Sequence, residues 1–559
     1  MKFKAFCLFF SLFSASMVFA QDSAPKNWFN LDLTQDGYPG LSTEKTYKEL
    51  LKGKTGKTVV VAVIDSGVDY MHEDLKDIMW VNPGEIAGNG VDDDKNGYVD
   101  DIHGWNFLGN KNGENIAHEN LEVTRLYVRY KKKYEGKDPA KLSKAERIEY
   151  DTYVEYGKVI EKKLKELAPN AQLYEMMNDA FSKFEKAIGK DRKAVTLKDV
   201  ENFKSSDPMM MRVAGAVKES IQGGESFADL MDQIEEGYDY FYNQVNYNYN
   251  TEYDARHIIG DDPQNVNDRN YGNSDVKGSD ASHGTHVSGI IAAIRGNGIG
   301  MDGVADNVRI MAVRAVPNGD ERDKDVANAI RYAVDNGATV INMSFGKGAS
   351  PEKSAVDAAV RYAMERDVLL VHGAGNDGSQ ISLKDNFPND HFAKSGLFGK
   401  KMAENWIEVG AHAPTKDEHL AAEFSNYSPE LVDVFAPGVE IYSTVPNNGY
   451  KNQQGTSMAS PMVAGVAALL RSYYPDLTAK QVKDIIMESA SPWDAKVIKP
   501  GTEDEKVNMS QLSVTGGLVN VYEAVKMANN TKGKKKASGK TGSAGMGGKN
   551  NKKTPAPKA

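Results

Sequence analysis

Ser457 stands in surroundings typical of a nucleophilic serine. Small residues precede it, and a run of small and apolar residues follows it as far as Leu470. Small neighbours leave a hydroxyl accessible, and the run predicts a buried helix with Ser457 at its N-terminus. There, free N–H groups and the helix dipole would stabilise negative charge on an attacked carbonyl. Pro461 is expected in the first turn of that helix, although a serine that merely caps a core helix would show the same pattern.

Two other stretches supply the partners that a nucleophilic serine needs. The β-branched run 59–64 is typical of a buried strand, and it ends on Asp65, where open α/β sheets place functional side chains. His283 opens a run of small and apolar residues that predicts another helix. A serine needs a base to accept its proton, and that base needs a carboxylate to orient it. Asp65, His283 and Ser457 are therefore candidate catalytic residues.

The sequence around these residues resembles the signature blocks of the subtilisin-like serine proteases. The blocks are Ile-Asp-Ser-Gly at 64–67, His-Gly-Thr-His-Val at 283–287 and Gly-Thr-Ser-Met-Ala-Ser-Pro at 455–461. They occur in the order Asp, His, Ser that is the established order of subtilisin. The resemblance extends over roughly 57–108 and 259–527. It implies an α/β fold in which a subtilisin-like parallel sheet carries helices on both faces.

The resemblance also implies a function. A member of this family would be a serine endopeptidase that hydrolyses protein or peptide substrates through an acyl-enzyme and needs no cofactor for catalysis. The alternatives are a relative that binds peptides without cleaving them and a calcium-dependent surface protein. Neither alternative explains why all three catalytic blocks are present.

Further site residues follow from the same resemblance. Asn376 corresponds to the oxyanion-hole asparagine of the family, which would act together with the backbone N–H of Ser457. The segment Ser344-Phe345-Gly346 corresponds to the strand that pairs with the substrate backbone, and Gly375 would allow a close backbone approach there. Taken alone, Asn376 is also typical of an ordinary turn.

The sequence offers two candidate sites for a structural calcium ion. The first is given by the resemblance, and it consists of Asp74 and Asn297 with the carbonyls of Ile299 and Met301. The second follows the oxygen spacing of a calcium loop around a glycine, and it consists of Asp92, Asp94, Asn96 and Asp100. Position twelve of that loop is His103 instead of the usual glutamate, and an acidic surface turn would explain the loop as well.

A long segment separates Asp65 from His283, longer than subtilases normally need. Residues 117–249 are rich in Lys, Glu, Tyr and Met with helical spacing, which predicts a mainly α-helical insertion. Because it lies between two catalytic residues in the chain, we expect it to flank or cover the cleft. Its aromatic run 238–249 would either pack on the peptidase domain or line a peptide-binding surface, and packing is favoured because aromatic stripes usually belong to cores.

Three local signals inside the insertion predict where its helices begin and end. The pattern Ser143 to Glu146 is a capping box, which begins a helix. Asp207-Pro208 predicts a second beginning, and Pro169 predicts the end of a helix.

The remaining segments differ in composition. Residues 1–20 combine early lysines, an apolar run and a small-residue end, which is typical of a signal peptide and predicts export to the periplasm or the extracellular space. Residues 21–57 would form an N-terminal extension, and 58–116 with 256–528 the peptidase domain. The lysine-rich tail 529–559 cannot bury a core and is expected to be disordered.

Charge and hydropathy narrow the range of partners. A formal net charge of −10 disfavours binding to nucleic acid. The mature chain contains no segment apolar and long enough to predict a transmembrane helix. The only cysteine, Cys7, lies in the predicted signal peptide, so no disulfide is expected in the mature chain, which we expect to be monomeric.

Overall fold

The computed structural model describes residues 24–394 and 400–534. The predicted signal peptide and residues 535–559 of the predicted tail lie outside these residues. The first residues assigned to the tail, 529 and 530, still belong to the last helix. The backbone of Lys532 and Lys534 then hydrogen-bonds with the side chain of Gln481. The predicted boundary at 529 therefore falls inside this last element.

Thirteen strands are present among the described residues. They are β1 (Val59–Asp65), β2 (Gly104–Asn106), β3 (Val308–Arg314), β4 (Val340–Met343), β5 (Leu369–Gly373), β6 (Trp406–His412), β7 (Val434–Pro437), β8 (Ile441–Val445), β9 (Gly449–Gln453), β10 (Ser491–Pro492), β11 (Val497–Ile498), β12 (Lys506–Val507) and β13 (Gly517–Leu518). Nine of them form one sheet in the order β10-β13-β7-β6-β5-β4-β1-β3-β2, which is parallel except between β10 and β13. Hairpins β8-β9 and β11-β12 lie outside it.

Thirteen α-helices accompany these strands in the described ranges. They are α1 (Thr43–Glu49), α2 (Glu122–Tyr134), α3 (Lys144–Ile188), α4 (Leu197–Asn202), α5 (Pro208–Gln222), α6 (Phe227–Asn243), α7 (Arg256–Ile259), α8 (Ser282–Ala292), α9 (Asp323–Asp335), α10 (Lys353–Glu365), α11 (Thr456–Tyr473), α12 (Ala479–Glu488) and α13 (Val521–Asn530). A single turn of π-helix, Gln244–Asn248, extends α6.

The central strands are buried on both faces, as the continuous apolar run 59–64 requires. Because side chains alternate along a strand, Val61 and Val63 belong to one hydrophobic cluster, with α8 and α11, whereas Ala62 and Ile64 belong to another, with α9 and α10. The sheet thus carries helices on both faces, and the predicted fold class is confirmed.

The insertion between the second and third strands consists of helices α2 to α6, and helices α3 to α6 share a hydrophobic cluster that includes Phe184, Phe227 and Met231. The capping box of Ser143 begins α3, and Asp207 caps α5, as predicted. The predicted end at Pro169 is wrong, because α3 continues through it to Ile188. Pro169 is exposed, so water can bind the backbone carbonyl that the missing N–H leaves free.

Buried charges fix the base of the insertion to the peptidase domain. The Glu122 carboxylate of α2 accepts hydrogen bonds from Lys347 Nζ at 2.8 Å and from Arg125 Nη2 at 2.5 Å. Burial raises the pKa of Glu122, but the charges of Arg125 and Lys347 outweigh burial and lower that pKa to about 2. Lys347 directly follows the segment 344–346. The insertion is therefore tied to the strand that is expected to bind substrate.

None of the described helices has both the length and the apolar character that crossing a lipid bilayer would demand.

Candidate active site

Asp65 and His283 meet at the carboxyl end of the sheet. Asp65 is the last residue of β1, and His283 lies in the first turn of α8. His283 Nδ1 lies 2.8 Å from Asp65 Oδ1, which also accepts the Ser66 N–H at 2.7 Å. Gly284 makes the approach possible, because a Cβ there would lie 2.1 Å from the Gly67 carbonyl oxygen. The carboxylate is nearly inaccessible, at 2% exposure, whereas the imidazole is 37% exposed to the cleft.

The charge of Asp65 changes the proton affinity of the imidazole. Burial lowers the pKa of His283, but the negative charge and the hydrogen bond of Asp65 outweigh burial, and Asp280 adds a smaller effect in the same direction. The net result is a raised pKa of His283. Because Nδ1 is held by a carboxylate, Nε2 is left as the nitrogen that can accept a proton from the cleft.

Ser457 lies in the first turn of α11, as predicted, and its hydroxyl donates to the Ser344 carbonyl at 3.1 Å rather than to His283. The prediction for Pro461 is wrong, because this proline lies one turn further into the helix. Pro461 has no N–H for the carbonyl of Ser457 four residues earlier, and the Ser344 hydroxyl donates to that carbonyl at 2.9 Å instead. Ser344 also lines the cleft that contains Asp65 and His283.

Asn376 lies beside the residues that precede Ser457. Its Oδ1 accepts hydrogen bonds from the N–H and the hydroxyl of Thr456 at 2.8 and 3.0 Å, which leaves Nδ2 as the free end of an exposed amide. Gly455 has φ 147°, and a Cβ on it would lie 3.5 Å from both Asn376 Nδ2 and the Ser457 backbone nitrogen. Both nitrogens therefore lie near the same spot, and the positive φ of residue 455 favours glycine there.

Thr456 connects the residues of the candidate site, and it is not among the candidates that the sequence indicates. Besides its bonds to Asn376, its hydroxyl accepts the N–H of Gly375 at 3.0 Å. It thereby holds Gly375 and Asn376 against the start of α11. A hydroxyl next to the candidate nucleophile was the only signal in the sequence.

A buried histidine, His372, contacts the backbone of the segment 344–346. His372 Nε2 lies 2.6 Å from the Phe345 carbonyl oxygen, and Nδ1 lies 2.9 Å from Glu408 Oε1. Burial lowers the pKa of His372, but the charge and hydrogen bonds of Glu408 outweigh burial and raise it. The ring bridges Glu408 and the Phe345 carbonyl, and it thereby fixes the Phe345 peptide. Neither His372 nor Glu408 is among the candidate residues that the sequence indicates.

A family model described as the subtilase family matches residues 56–517 of this chain, and these residues contain every side chain of the site described above. The chain belongs to the subtilase family. This subtilase is 45% identical to the "Thermophilic serine proteinase" of Bacillus sp. (strain AK1) over 34% of its own chain and 43% of the relative. It is 40% identical to "Subtilisin DY" of Bacillus licheniformis over 37% of its own chain and 70% of the relative.

Two further comparisons cover other shares of the chain. "Thermitase" of Thermoactinomyces vulgaris is 37% identical over 44% of this chain and 74% of the relative. A solved structure of proteases from Pseudoalteromonas arctica PAMC 21717 is 26% identical and covers 46% of this chain and 78% of that chain, with a TM-score of 0.37. The subtilase spans less than half the length of the thermophilic serine proteinase that it matches.

The first candidate calcium site is partly assembled. Asp74 is completely buried, and its carboxylate accepts hydrogen bonds from Asn297 Nδ2 at 2.6 Å and from the Tyr450 hydroxyl at 3.4 Å. Burial is the main cause of the raised pKa of Asp74. No lysine or arginine within the described ranges forms an ion pair with it. The nearby carbonyls of Ile299 and Met301 belong to a loop in which Asn297 Oδ1 accepts the Ile299 N–H.

The second candidate site contains other residues than the spacing predicts. Carboxylate oxygens of Asp92 and Asp94 lie within 4.8 Å of one another and of Glu85, which the sequence reasoning did not include. Asn96 donates from its backbone to both aspartates. Asp100 does not join the group, because both of its oxygens accept backbone N–H groups from residues 88–90. The calcium-loop spacing therefore does not describe how these side chains meet.

Proposed function

We propose that this subtilase is an exported serine endopeptidase that cleaves peptide bonds of protein substrates through an acyl-enzyme. The observation that supports the proposal most strongly is the buried Asp65 carboxylate bonded to Nδ1 of His283, in a cleft bordered by Ser344, whose carbonyl accepts the Ser457 hydroxyl. Two N–H donors beside Gly455 add the second requirement of acyl transfer, which is stabilisation of an oxyanion. A signal peptide in residues 1–20 would direct the enzyme to the periplasm or the extracellular space.

Each residue would have one role in the reaction. The Ser457 hydroxyl turns from the Ser344 carbonyl to His283 Nε2 and attacks the scissile carbonyl, and His283 takes its proton. Asp65 keeps the imidazole in the productive tautomer and stabilises the imidazolium. The oxyanion receives hydrogen bonds from Asn376 Nδ2 and the Ser457 N–H. His283 then protonates the leaving amine, and water attacks the acyl-enzyme by the reverse route.

The substrate would bind as an additional strand. Ser344, the first residue of the segment 344–346, lines the cleft. Strand addition by this segment would explain how one enzyme accepts many sequences. His372 binds the Phe345 carbonyl, and the side chain of Lys347, the next residue, donates to the Glu321 carbonyl, so both ends of the segment are anchored. We propose protein or peptide substrates, no nucleic-acid partner and a monomeric enzyme.

The test is hydrolysis of an unfolded protein by the purified enzyme, with the new chain ends identified by mass spectrometry. We expect internal cleavages, each producing a free carboxylate and a free amine, and inhibition by a serine-reactive fluorophosphonate. Cleavage that persists after complete fluorophosphonate modification would contradict the proposal.

Replacing Asn376 with alanine should lower kcat about a hundredfold to a thousandfold, because one oxyanion donor is lost in the transition state only. KM should change little. The matched control is Gln380→Ala, an exposed amide in the same loop without a side-chain hydrogen bond. Equal rates for the two variants would remove Asn376 from the mechanism.

The acidic limb of the pH profile should reflect the raised pKa of His283. A general base must be neutral, so kcat/KM should fall as the pH drops through that pKa, with a midpoint above the ordinary histidine value of about 6.5. Asp280→Asn removes a negative charge and should move the midpoint to lower pH, whereas Asp275→Asn in the same loop should not. A midpoint that Asp280→Asn leaves in place would contradict this assignment.

We also propose that calcium stabilises the fold at Asp74. Asp74, Asn297 and the carbonyls of Ile299 and Met301 would supply the oxygen atoms that suit this cation, once the Asn297 amide turned its oxygen toward Asp74. The buried Asp74 carboxylate has no lysine or arginine partner among the described residues. Chelation should lower the Tm, and saturating calcium at about a hundredfold Kd should restore about 2.7 kcal/mol. Asp74→Asn should lose this response, whereas Asp92→Asn should keep it. An unchanged Tm of the wild type after chelation would exclude both candidate sites.

A further inference from the structure

We infer that the helical insertion builds a substrate subsite beside His283 that selects a lysine or arginine side chain. The inference rests on the proposed function and names the substrate class of the same cleft. It assigns a recognition role to three tyrosines and a carboxylate that the catalytic mechanism does not use.

The cleft next to the catalytic residues has two walls of different origin. It encloses about 600 Å³. One wall comes from the peptidase domain and includes Asp65, Asp280 and His283. The other comes from the C-terminal end of α6 and the π-turn after it, and it consists of Tyr238, Asp239, Tyr242 and Tyr247. A substrate side chain that enters beside His283 must therefore contact the insertion.

Two carboxylates in this cleft have no cationic partner among the described residues. Asp239 is exposed and has neither an ion pair nor a hydrogen bond, and Asp280 only accepts the N–H of Ser282 at 3.1 Å. Burial raises the pKa of Asp239 most, and the negative charges of Glu235 and Asp280 raise it further. The negative charges of Asp239 and Asp280 therefore repel each other, and a bound cation would reduce this repulsion.

The positive groups nearby do not neutralise the cleft. Arg314 lines it, but this side chain is buried and already donates to the Ser66 carbonyl, to Asn106 Oδ1 and to the Ile116 carbonyl. Burial lowers the pKa of His118, which keeps its ring neutral near pH 7. Asp65, Asp239 and Asp280 together therefore outnumber the Arg314 guanidinium and the His283 imidazole.

The aromatic rings make the cleft suitable for a long cationic side chain rather than for a free ion. Tyr242 lies 5.2 Å from Tyr238 and 6.0 Å from Tyr247 between ring centroids, and His118 stacks on Tyr247 at 4.1 Å. Such rings attract a lysine or arginine through their faces and cover its methylene stem. The sequence prediction that this run packs inward is only partly right, because Asn243, Asn248 and Tyr249 are buried whereas these tyrosines line the cleft.

Two ion pairs connect the helical insertion to the peptidase domain on either side of the cleft. At the base of the insertion, Glu122 binds Lys347, as described above. In the same helix as Asp239, Glu236 forms an ion pair with Lys451 of β9, the strand that leads to Ser457. The insertion that carries the tyrosine wall is thus attached next to the segment 344–346 and at β9. These two attachments define its position relative to His283. Deleting the whole insertion would leave Lys347 without Glu122, and point variants are the cleaner test.

The test uses quenched peptides that are identical except for Arg, Gln or Glu at each of the four positions on either side of the scissile bond. At one position, kcat/KM of the wild type should favour Arg over Gln by roughly tenfold and Gln over Glu. Asp239→Asn should reduce the ratio of Arg to Gln severalfold, and Asp239→Lys should favour Glu over Arg. The matched control is Glu161→Gln, an exposed carboxylate of α3 that should keep the wild-type ratios.

The design separates the two possible failures. Ratios within one variant cancel differences in the amount of folded enzyme, and fluorophosphonate labelling measures the active fraction independently. A folded wild type that neither takes the label nor cleaves any peptide would contradict the proposed function. An enzyme that labels normally but shows the same ratios in the wild type, Asp239→Asn and Asp239→Lys would overturn the subsite.

Discussion

Ser457→Ala is expected to lower kcat on the order of a millionfold, as loss of the nucleophile does in subtilisin. The Ser457 hydroxyl makes a single hydrogen bond, to the Ser344 carbonyl, and alanine favours the helix in which residue 457 lies. The variant should therefore fold with an unchanged Tm and still bind substrate. Residual turnover, near the rate that the oxyanion donors alone support, should be measured with a fluorogenic peptide under single-turnover conditions.

The same helix provides the matched control. Ser472 lies near the C-terminal end of α11, and its buried hydroxyl has no hydrogen-bond partner among the described residues. Ser472→Ala should keep the wild-type kcat. If Ser457→Ala retained a substantial part of the wild-type rate, another group would be the nucleophile.

Asp65→Asn should lower kcat about ten-thousandfold, with a small effect on KM. The change preserves the shape of the side chain but replaces a charged acceptor with an amide. Asp65 Oδ1 accepts the Ser66 N–H and is bonded to His283 Nδ1, so the asparagine oxygen satisfies only part of this arrangement. The imidazole then loses the partner that fixes its tautomer and stabilises its charge.

A second measurement separates this electrostatic role from misfolding. The pKa of His283 should fall in Asp65→Asn, because the largest cause that raises it is removed, and proton NMR of the imidazole can follow that change. The comparison variant is Asp69→Asn, which removes a buried carboxylate four residues further on that pairs with Lys277. A loss of less than tenfold in Asp65→Asn would contradict the role assigned to Asp65.

The sheet and the position of Asp65 at the end of β1 could be predicted because their signals are local. A β-branched run such as 59–64 predicts a buried strand in any chain, and the residue after it lies at the carboxyl end of that strand. The capping signals at Ser143 and Asp207 are local in the same sense. Pro169 does not end α3, because a proline is tolerated inside a long helix where water can reach the backbone. Exposure to water is a property of the fold that the local sequence does not indicate.

The other differences between prediction and structure also arise from contacts with residues that are distant in the sequence. Pro461 is accommodated because Ser344, far away in the sequence, supplies the hydrogen bond that the proline cannot. The spacing around Gly97 suggested that Asp100 would join Asp92 and Asp94, but the turn at 88–90 binds it instead. His372 had no sequence signal for its role, because its partner Glu408 is on the neighbouring strand.

The position of the insertion relative to the cleft also depends on distant partners. Helical spacing predicted the helices of 117–249, and the pattern of Glu122 or Glu236 contains no information about Lys347 or Lys451. The first of these ion pairs connects α2 to the peptidase domain, and the second connects α6 to it. Whether an aromatic run faces a core or a substrate is decided by that placement.

The most direct test of the account is to label the folded enzyme with a fluorophosphonate probe and to locate the modified residue by peptide mass spectrometry. We expect one adduct per chain, on Ser457, that abolishes peptide hydrolysis in proportion to its occupancy and is missing in Ser457→Ala. An adduct on another residue with loss of activity, or full activity in enzyme that is labelled at Ser457, would contradict it.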